Sequence, residues 1–235
     1  MKYMNFFDVV DTRRSVRRFT QTPVPDEVIR KALAAALKAP NSSNLQCWEF
    51  YWVKSPAKKA ELVEACLSQG AARTANHLIV AVSRLDTWRR NRDLLIEDMQ
   101  KTGPVPKFVQ NYYLKLIPFL YAQDALGILA MIKCLAFNAI GLFKPMLRRP
   151  VSKADLFEVV TKSAALACEN FMLAIAAQGF GSCPMEGFDE KRLQRILNLN
   201  RKCHVVMVIG VGDIDAAGIF GPQYRVDSKL VVHEV

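Results

Sequence analysis

The sequence of 235 residues is poor in the short motifs that mark metal sites and side-chain nucleophiles. Its three histidines, His77, His204 and His233, are scattered, and two of them open apolar runs. It has no H-E-x-x-H, no G-x-x-x-x-G-K-[ST] phosphate loop and no G-x-S-x-G elbow. A G-x-G follows an apolar run near residue 210, but the third glycine of a dinucleotide fingerprint is replaced by Asp215. We therefore expect no metal site, no catalytic side-chain nucleophile and no dinucleotide fold.

Paired cysteines and an N-terminal export signal are also lacking. The six cysteines, at positions 47, 66, 134, 168, 183 and 203, form no C-x-x-C pair, and most lie in apolar runs. This pattern favours buried free thiols in a reducing compartment. The first residues contain no uninterrupted apolar stretch of signal-peptide length, so we expect a cytoplasmic protein.

Acidic residues are scarce. The chain has 22 Asp and Glu against 32 Lys and Arg, a net charge of +10, which attracts anions. Four arginines and Ser15 fall within residues 13–18, in the stretch "RRSVRRF". Nucleic acid, the phosphate of a small cofactor and water are the three candidates that this cluster could face. No nucleic-acid recognition motif is visible, and the cluster is too short to follow a phosphate backbone, so nucleic acid is not expected.

Hydrophobic periodicity predicts strands separated by helices. Pro25 and Pro40 bound one predicted helix, while Ser152 with Asp155 and then Gly179 bound another. Helices are predicted over residues 25–40, 56–70 and 152–179, and strands over 48–53, 77–83, 204–212 and 228–235. This order indicates one α/β or α+β domain without linkers or repeats.

The segment 104–150 departs from that pattern. From Leu126 to Phe143 it has 18 residues whose only charge is Lys133. This is close to the ~20 apolar residues that a membrane-spanning helix needs. Because Lys133 and Asn138 interrupt the run, a buried or interface helix pair is favoured.

Four separated segments resemble motifs of the nitroreductase family, the FMN-dependent NAD(P)H oxidoreductases. "RRSVRRF" (13–19) is similar to R-R-S-x-R/K-x-F, and "APNSSNLQCWEFYWV" (39–53) to A-P-S-S-x-N-x-Q-P-W-x-F. "AAQGFGSCPMEGFD" (176–189) resembles G-L-G-x followed by P-x-E-G-F-D, and "GPQYRV" (221–226) resembles P-x-x-R. The four segments occur in the family's order along the whole chain except 104–150.

The resemblance implies a fold and an activity. We expect a single α+β domain over 1–235, a mixed central sheet flanked by helices, with an apolar helical insertion at about 104–150. We also expect a homodimer that exchanges its C-terminal strand. The implied enzyme passes hydride from NADH or NADPH through flavin N5 to a nitroaromatic, a quinone or a similar small-molecule oxidant. The cofactor carries the chemistry.

The resemblance also assigns the arginines. Arg13 and Ser15 would hold the FMN phosphate, and Arg225 would reach it from the other end of the chain. Gln223 stands where the family usually has a lysine, so either Arg14 compensates or the site is weaker. Arg17 would lie near flavin N1 and O2, where a fixed positive charge favours the reduced anion.

The remaining expected flavin contacts come from three segments. Gln69, with Ser68 as the alternative alignment, would be a polar contact. A backbone N–H near Glu186 or Gly187 would donate to N5. The full set adds Pro184 and Met185, and, reaching the partner's flavin, Pro40, Asn41, Ser42 and Asn44. Cys47 replaces the usual proline and is a candidate redox-sensitive thiol.

Two other functions stay open. A flavin-destroying or dehalogenating relative would keep the fold and change the chemistry. A non-enzymatic, membrane-associated binding protein would use 104–150 as its anchor. For 104–150 itself, we expect two or more helices that cover the flavin site across the dimer; contact with an anionic membrane surface is the alternative.

Overall fold

The computed structural model describes residues 4–200 and 202–235, and these form an antiparallel sheet with helices packed on it. The strands are β1 (Trp48–Val53), β2 (His77–Arg84), β3 (Gly181–Met185) and β4 (Cys203–Gly212), in the order β1-β2-β4-β3. Each neighbouring pair of strands is antiparallel. An isolated parallel bridge joins Ser15 to Ser182 of β3. The α+β class predicted from the sequence is confirmed.

The two central strands have the most continuous apolar sequences. β2 reads "HLIVAVSR" and β4 reads "CHVVMVIGVG", and both are buried along most of their length. β2 pairs with β1 from Trp48 to Val53, opposite Ser83 to Leu78. The three strands predicted over 48–53, 77–83 and 204–212 form within one residue of their expected bounds.

The described residues form ten α-helices, connected by turns and short 3₁₀ segments. Their bounds are α1 (Phe6–Thr12), α2 (Asp26–Ala36), α3 (Pro56–Ala65), α4 (Gly70–Thr74), α5 (Trp88–Lys101), α6 (Lys107–Asn111), α7 (Ile117–Tyr121), α8 (Ile128–Ile140), α9 (Lys153–Ala177) and α10 (Glu190–Ile196). A π-helical turn, Tyr112–Leu116, joins α6 and α7 into one helical stretch.

The long helix α9 lies across one face of the sheet and packs against α2. Its N-terminus has the predicted capping box: Asp155 N–H donates to the Ser152 hydroxyl, and the Asp155 carboxylate accepts from Ser152 N–H. The Ser152 N–H and Arg149 both donate to the Asp155 carboxylate and hold its pKa well below the usual range. α9 is long and apolar enough to cross a membrane by length and composition, and 44% of its most apolar window is buried inside the protein. Its buried residues belong to a core shared with α2 and the sheet.

Two predicted helices are shorter than expected. The helix predicted over 56–70 ends at Ala65, because Leu67 and Ser68 adopt positive φ values of 56° and 52° and reverse the chain. Gly70 then begins α4 instead of ending α3. The helix predicted over 25–40 ends at Ala36.

The strand predicted over 228–235 is wrong for the single chain. Ser228–Leu230 forms one 3₁₀ turn, and residues 221–235 are exposed. A strand needs a free sheet edge beside it, and the bridge from Ser15 already lies on the outer edge of β3. The outer edge of β1 has no strand partner within the described parts of the chain.

The segment 104–150 forms two helical stretches, Lys107–Tyr121 and α8, which confirms the expectation of two or more helices. The two stretches share an apolar cluster that includes Tyr113, Ile117 and Phe137. Lys133 lies between them, almost fully buried, and its ammonium donates to the carbonyls of Leu120 at 3.2 Å and Ala122 at 2.6 Å. Lys133, which interrupts the apolar run in the sequence, thus connects the two helical stretches. Its burial lowers its pKa.

Candidate functional site

The two ends of the chain meet beside β3. Val16 N–H donates to the Ser182 carbonyl at 3.0 Å, so the N-terminal segment follows the edge of β3. Arg17 N–H donates to the Gly218 carbonyl at 2.8 Å, on the segment that follows β4. Residues 13–19 are therefore held between two parts of the chain, with Val16 and Phe19 buried and the other side chains partly or fully exposed.

A small pocket opens where these ends meet. It has a volume of about 230 Å³. Its walls contain Phe220, Pro222 and Tyr224 together with six of the predicted cofactor-binding residues: Arg13, Arg14, Ser15, Gln223 and Arg225, which were expected at the phosphate end, and Arg17, which was expected near flavin N1 and O2. The fold thus gathers residues from both ends of the sequence, about 200 positions apart, around one polar space.

The arginines of this pocket lack acidic partners. Among the described residues, no ion pair involves Arg13, Arg14, Arg17 or Arg225. Arg14 donates to the Gly221 carbonyl at 2.8 Å, Arg17 lies over the Phe220 ring at 5.2 Å, and Arg225 donates to its neighbour's carbonyl. Four cations that converge without a carboxylate repel one another, and an anionic ligand relieves that repulsion.

Arg18 differs from its neighbours. Its Nε lies 2.6 Å from Asp215 Oδ2, and this hydrogen bond and charge raise the pKa of Arg18. Arg18 points away from the pocket and is neutralised within the chain. The four-arginine cluster of the sequence is therefore divided by the fold: three arginines line the pocket, and the fourth holds the segment after β4.

Gln223 stabilises the position of Arg225. With its amide oriented to suit both neighbours, it donates to the Asp11 carbonyl at 2.9 Å and accepts from the Arg225 guanidinium at 3.0 Å. A lysine here would add a fifth charge to the pocket. The amide instead supplies an acceptor that orients a guanidinium already present.

Gln69 and the loop after β3 form a second part of the site. Gln69 Nε2 donates to the Gly187 carbonyl at 2.7 Å and to the Cys66 carbonyl at 3.0 Å. Glu186 and Gly187 are exposed, whereas the Met185 side chain is buried in the core. Pro184 precedes it at the end of β3. Any contact that Met185 makes with a ligand is therefore through its backbone.

The segment 40–46 contains the third group of expected flavin contacts. Ser42–Asn44 forms a 3₁₀ turn in which Ser43 and Asn44 have φ near 54° and 50°. Ser42 N–H donates to the Ser163 hydroxyl of α9 at 3.3 Å. Of the hydrogen bonds in the described parts of the chain, none joins Pro40, Asn41, Ser42 or Asn44 to the arginine pocket.

The helical stretch Lys107–Tyr121 packs on this segment. The Tyr112 hydroxyl lies 2.7 Å from the Ser43 hydroxyl, and the Tyr113 hydroxyl donates to the Ser43 carbonyl at 3.2 Å. The segment 104–150 is thereby attached to residues 40–46.

Most of the thiols are buried and are not placed for reactivity. Five cysteines are buried and Cys134 is exposed, and none is in a disulfide. Burial raises the pKa of Cys47 to about 12, so its thiolate is not populated near neutral pH. The candidate redox role of Cys47 has no support here, and the expectation of buried free thiols is confirmed for five of the six.

Sequence reasoning missed three residues that shape the pocket. Gly218 receives the Arg17 N–H, Asp215 holds Arg18, and Phe220 lies under Arg17. A Cβ at Gly218 would be 2.4 Å from the Arg18 carbonyl oxygen, so a glycine is required for the two segments to approach. The local signal was a glycine shortly after Asp213 and Asp215, and such clusters of glycine and aspartate are common in turns.

The arrangement can bind an anion with several guanidinium groups and one hydroxyl. Within residues 4–200 and 202–235, no group of three or more His, Cys, Asp or Glu side chains is placed to hold a metal ion. The chemistry that the site's own side chains can supply is therefore binding and orientation rather than nucleophilic attack.

Comparison with known proteins gives four similarities. A family model described as "Nitroreductase family" matches residues 10–213. An NADH dehydrogenase of Thermus thermophilus is 27% identical over 223 residues, which cover 94% of this chain and 91% of that protein. The crystal structure of ydfN from Bacillus subtilis superposes with a TM-score of 0.79 at 21% identity and covers 98% of each chain. A crystal structure of an Exiguobacterium sibiricum protein in complex with FMN has a TM-score of 0.74 at 19% identity, covering 100% of this chain and 99% of that one.

Proposed function

The chain belongs to the nitroreductase family of oxidoreductases, and from this we propose that it binds FMN and passes electrons from NADH or NADPH to a small organic oxidant such as a nitroaromatic or a quinone. The relative named as an NADH dehydrogenase and the fold neighbour that contains FMN support the two cofactors. The particular oxidant and the preferred nicotinamide remain to be measured.

The observation that carries the proposal is the uncompensated arginine pocket. Three of its guanidinium groups, those of Arg13, Arg14 and Arg225, and the Ser15 hydroxyl match the charge and the several acceptor oxygens of a phosphate monoester. Its volume of about 230 Å³ suits a phosphate and part of a ribityl chain rather than a whole dinucleotide. The residues present therefore fit the phosphate end of FMN.

The chain's own residues bind and orient. Arg13, Arg14 and Arg225 neutralise the phosphate, and Ser15 donates to it. Arg17, held by its backbone hydrogen bond to Gly218, presents positive charge to the pyrimidine edge of the ring system. When bound, FMN supplies the hydride acceptor and the electron carrier that the side chains lack.

Gln69 fixes the loop on which the reacting edge would rest. Its amide donates to the Gly187 carbonyl at 2.7 Å and so anchors the exposed residues Glu186 and Gly187, one of whose backbone N–H groups would donate to N5. A backbone donor positioned in this way is fixed before the reaction, so no reorganisation is needed when charge develops.

The proposed enzyme is a homodimer. Within the described parts of one chain, no hydrogen bond joins residues 40–46 to the arginine pocket. A second copy of the chain would bring Pro40, Asn41, Ser42 and Asn44 to the flavin. The exposed terminal segment 228–235 and the unpaired outer edge of β1 are complementary, because an added strand satisfies the free backbone groups of an edge. The proposed exchange of the C-terminal strand would use that edge.

The segment 104–150 is proposed as an insertion in a single domain, and its inner side as a cover for the oxidant site. Tyr112 and Tyr113 attach it to Ser43, so its position is coupled to the segment that would face the partner's flavin. Aromatic side chains at such a position suit a flat oxidant.

The phosphate assignment can be tested by comparing FMN with riboflavin, which has the same ring system and no phosphate. The apo-protein is titrated with each flavin. Wild type should bind FMN at least about 100-fold more tightly, because several charged hydrogen bonds of about 1.5–3 kcal/mol each reach only the phosphate. Arg13→Ala and Arg225→Ala should each weaken FMN roughly 10- to 100-fold and leave riboflavin unchanged.

Arg18→Ala is the matched control. It removes an arginine from the same short stretch, but one that is paired with Asp215 outside the pocket, so both flavins should bind as to wild type. Unchanged FMN affinity in both pocket variants, or a protein that binds neither flavin, would contradict the proposed function.

A further inference from the structure

The helix α8 presents its apolar side to solvent. Its sequence "ILAMIKCLAFNAI" has a single charged residue, Lys133, whose side chain is turned inward and is only 2% exposed. Ile128, Met131, Ile132 and Leu135 are between 49% and 65% exposed. They recur at i, i+3, i+4 and i+7, which places them in one stripe. A surface helix usually has the reverse arrangement, with its charge outside and its apolar stripe inside.

The stripe continues beyond both ends of the helix. Leu126, Leu142 and Phe143 are 82%, 79% and 90% exposed. With Ile128, Met131, Ile132 and Leu135 they make up what we call the α8 face. An exposed apolar surface of this continuity indicates a binding surface, because single exposed apolar residues are common but contiguous patches are not.

The α8 face is held in this orientation by polar contacts on its other side. The Asp124 carboxylate accepts from the N–H groups of Ile128 at 3.0 Å and Leu129 at 2.9 Å, which fixes the start of α8. Lys133 fixes its middle through the carbonyls at the end of the neighbouring helical stretch. Rotating α8 to bury its apolar stripe would break these contacts.

The surroundings of the α8 face are basic. The segment 104–150 contains six Lys and Arg and one acidic residue, a net charge of +5 out of +10 for the whole chain. The acidic residue, Asp124, is occupied by backbone donors. Lys144 directly follows Phe143 and is exposed, and the exposed Arg148 donates to the Gly141 carbonyl at the end of α8 at 3.0 Å.

We propose that the α8 face docks into the surface of an anionic lipid bilayer, with α8 lying in the plane of the membrane. A helix of 13 residues is about 20 Å long, too short to cross a hydrocarbon core of ~30 Å. Apolar side chains flanked by lysine and arginine are what an interfacial helix needs, since the first enter the acyl boundary and the second meet the phosphate headgroups.

Charge decides between the bilayer and a second copy of the chain. A symmetric contact through the α8 face would bring two segments of net charge +5 together, and that repulsion is absent against anionic lipid. Docking also uses the outer side of 104–150 and leaves free the inner side, where Tyr112 and Tyr113 contact Ser43. The proposal does not depend on the proposed function.

Flotation of the full-length protein with vesicles tests it. Vesicles of phosphatidylcholine alone are compared with vesicles that also contain phosphatidylglycerol, at low and at high salt. Wild type should float with the anionic vesicles, less so at high salt, and not with the neutral ones. Leu135→Glu should lower the partition coefficient at least about tenfold, and Lys144→Glu should lower it roughly fivefold for each unit of charge.

Leu94→Glu is the matched control for Leu135→Glu. Both leucines are exposed on helices, at 56% and 65%, but Leu94 lies on α5, outside the α8 face, and its replacement should leave flotation unchanged. A second readout uses Cys134, the one exposed cysteine of the six. An environment-sensitive dye attached there should shift its emission to the blue on anionic vesicles.

Three results would overturn the proposal. The first is no flotation of wild type with anionic vesicles at low salt. The second is equal flotation of wild type and Leu135→Glu. The third is a wild-type oligomer that Leu135→Glu dissociates, without lipid binding by either, which would assign the α8 face to a protein interface. Flavin content is measured in every sample, so loss of docking is distinguished from loss of the cofactor site.

Discussion

Replacing Gly218 with alanine should disturb the site more than its distance from any reacting atom suggests. The new Cβ would lie 2.4 Å from the Arg18 carbonyl oxygen, 2.5 Å from Arg18 N and 2.9 Å from Arg18 Cα. The first distance is about 1 Å short of an ordinary contact at 3.4 Å. All three atoms are backbone, so no side-chain rotation relieves the clash. One of the two segments must move.

The cost follows from what that movement breaks. Overpacking costs about 1–3 kcal/mol, and the hydrogen bond from Arg17 N–H to the Gly218 carbonyl is worth about 1 kcal/mol. We therefore expect the free energy of unfolding to fall by roughly 2–4 kcal/mol. The same movement displaces the Gly221 carbonyl that Arg14 binds at 2.8 Å, so FMN affinity should fall about tenfold or more.

Urea unfolding and calorimetric titration with FMN measure the two effects. Gly221→Ala is the control: Gly221 has φ +62°, and a Cβ there meets no atom within 4 Å, so only the cost of about 1–2 kcal/mol for a left-handed alanine applies. The reasoning fails if Gly218→Ala unfolds and binds FMN like wild type, or if Gly221→Ala is equally damaging.

Three further predictions concern separate parts of the molecule. Lys133→Met keeps the apolar stem but leaves two buried carbonyls without a donor, so it should lower the free energy of unfolding by about 1–3 kcal/mol in urea titrations; an unchanged midpoint would contradict it. Burial lowers the pKa of His77, whose Nδ1 accepts from Trp52 and whose Nε2 faces the Val24 carbonyl. The unfolded chain therefore binds more protons, and stability should be lost as pH falls below about 6.5, with a smaller slope in His77→Gln; equal slopes would refute this. Arg17→Ala should lower the midpoint potential of bound flavin by about 30–60 mV, the equivalent of one charged hydrogen bond, with a smaller effect on FMN affinity; equal potentials would exclude its role.

The elements that sequence patterns predicted well are those whose signal is local. β2 and β4 are continuous apolar runs, and α9 has a capping box at Ser152 and a glycine stop at Gly179. β3 was not predicted because "GSCPM" contains a glycine and a proline, and it becomes a strand through pairing with β4. The terminal segment 228–235 has strand composition but pairs with no strand among the described residues of its own chain, so composition alone misassigned it for the single chain.

The candidate site likewise contains residues that the sequence predicted and residues that it did not. Family resemblance predicted Arg13, Arg14, Arg17 and Arg225 as cofactor-binding residues, and the fold brings all four to one pocket. Their contact with FMN stays a prediction. The supporting residues could not be predicted. Arg18 and Asp215 are 197 positions apart, and no local pattern indicates that they pair. Lys133 appeared as an interruption of an apolar run, and only the tertiary contacts show that it ties two helices together.

The most direct test of the central claim is an absorbance spectrum of the purified protein, recorded anaerobically before and after addition of NADH or NADPH. The account predicts a yellow protein, or one that becomes yellow with added FMN, whose visible flavin absorbance is bleached by one nicotinamide and restored by a quinone or a nitroaromatic. A colourless protein that cannot be reconstituted, or bound FMN that neither NADH nor NADPH reduces, would contradict it.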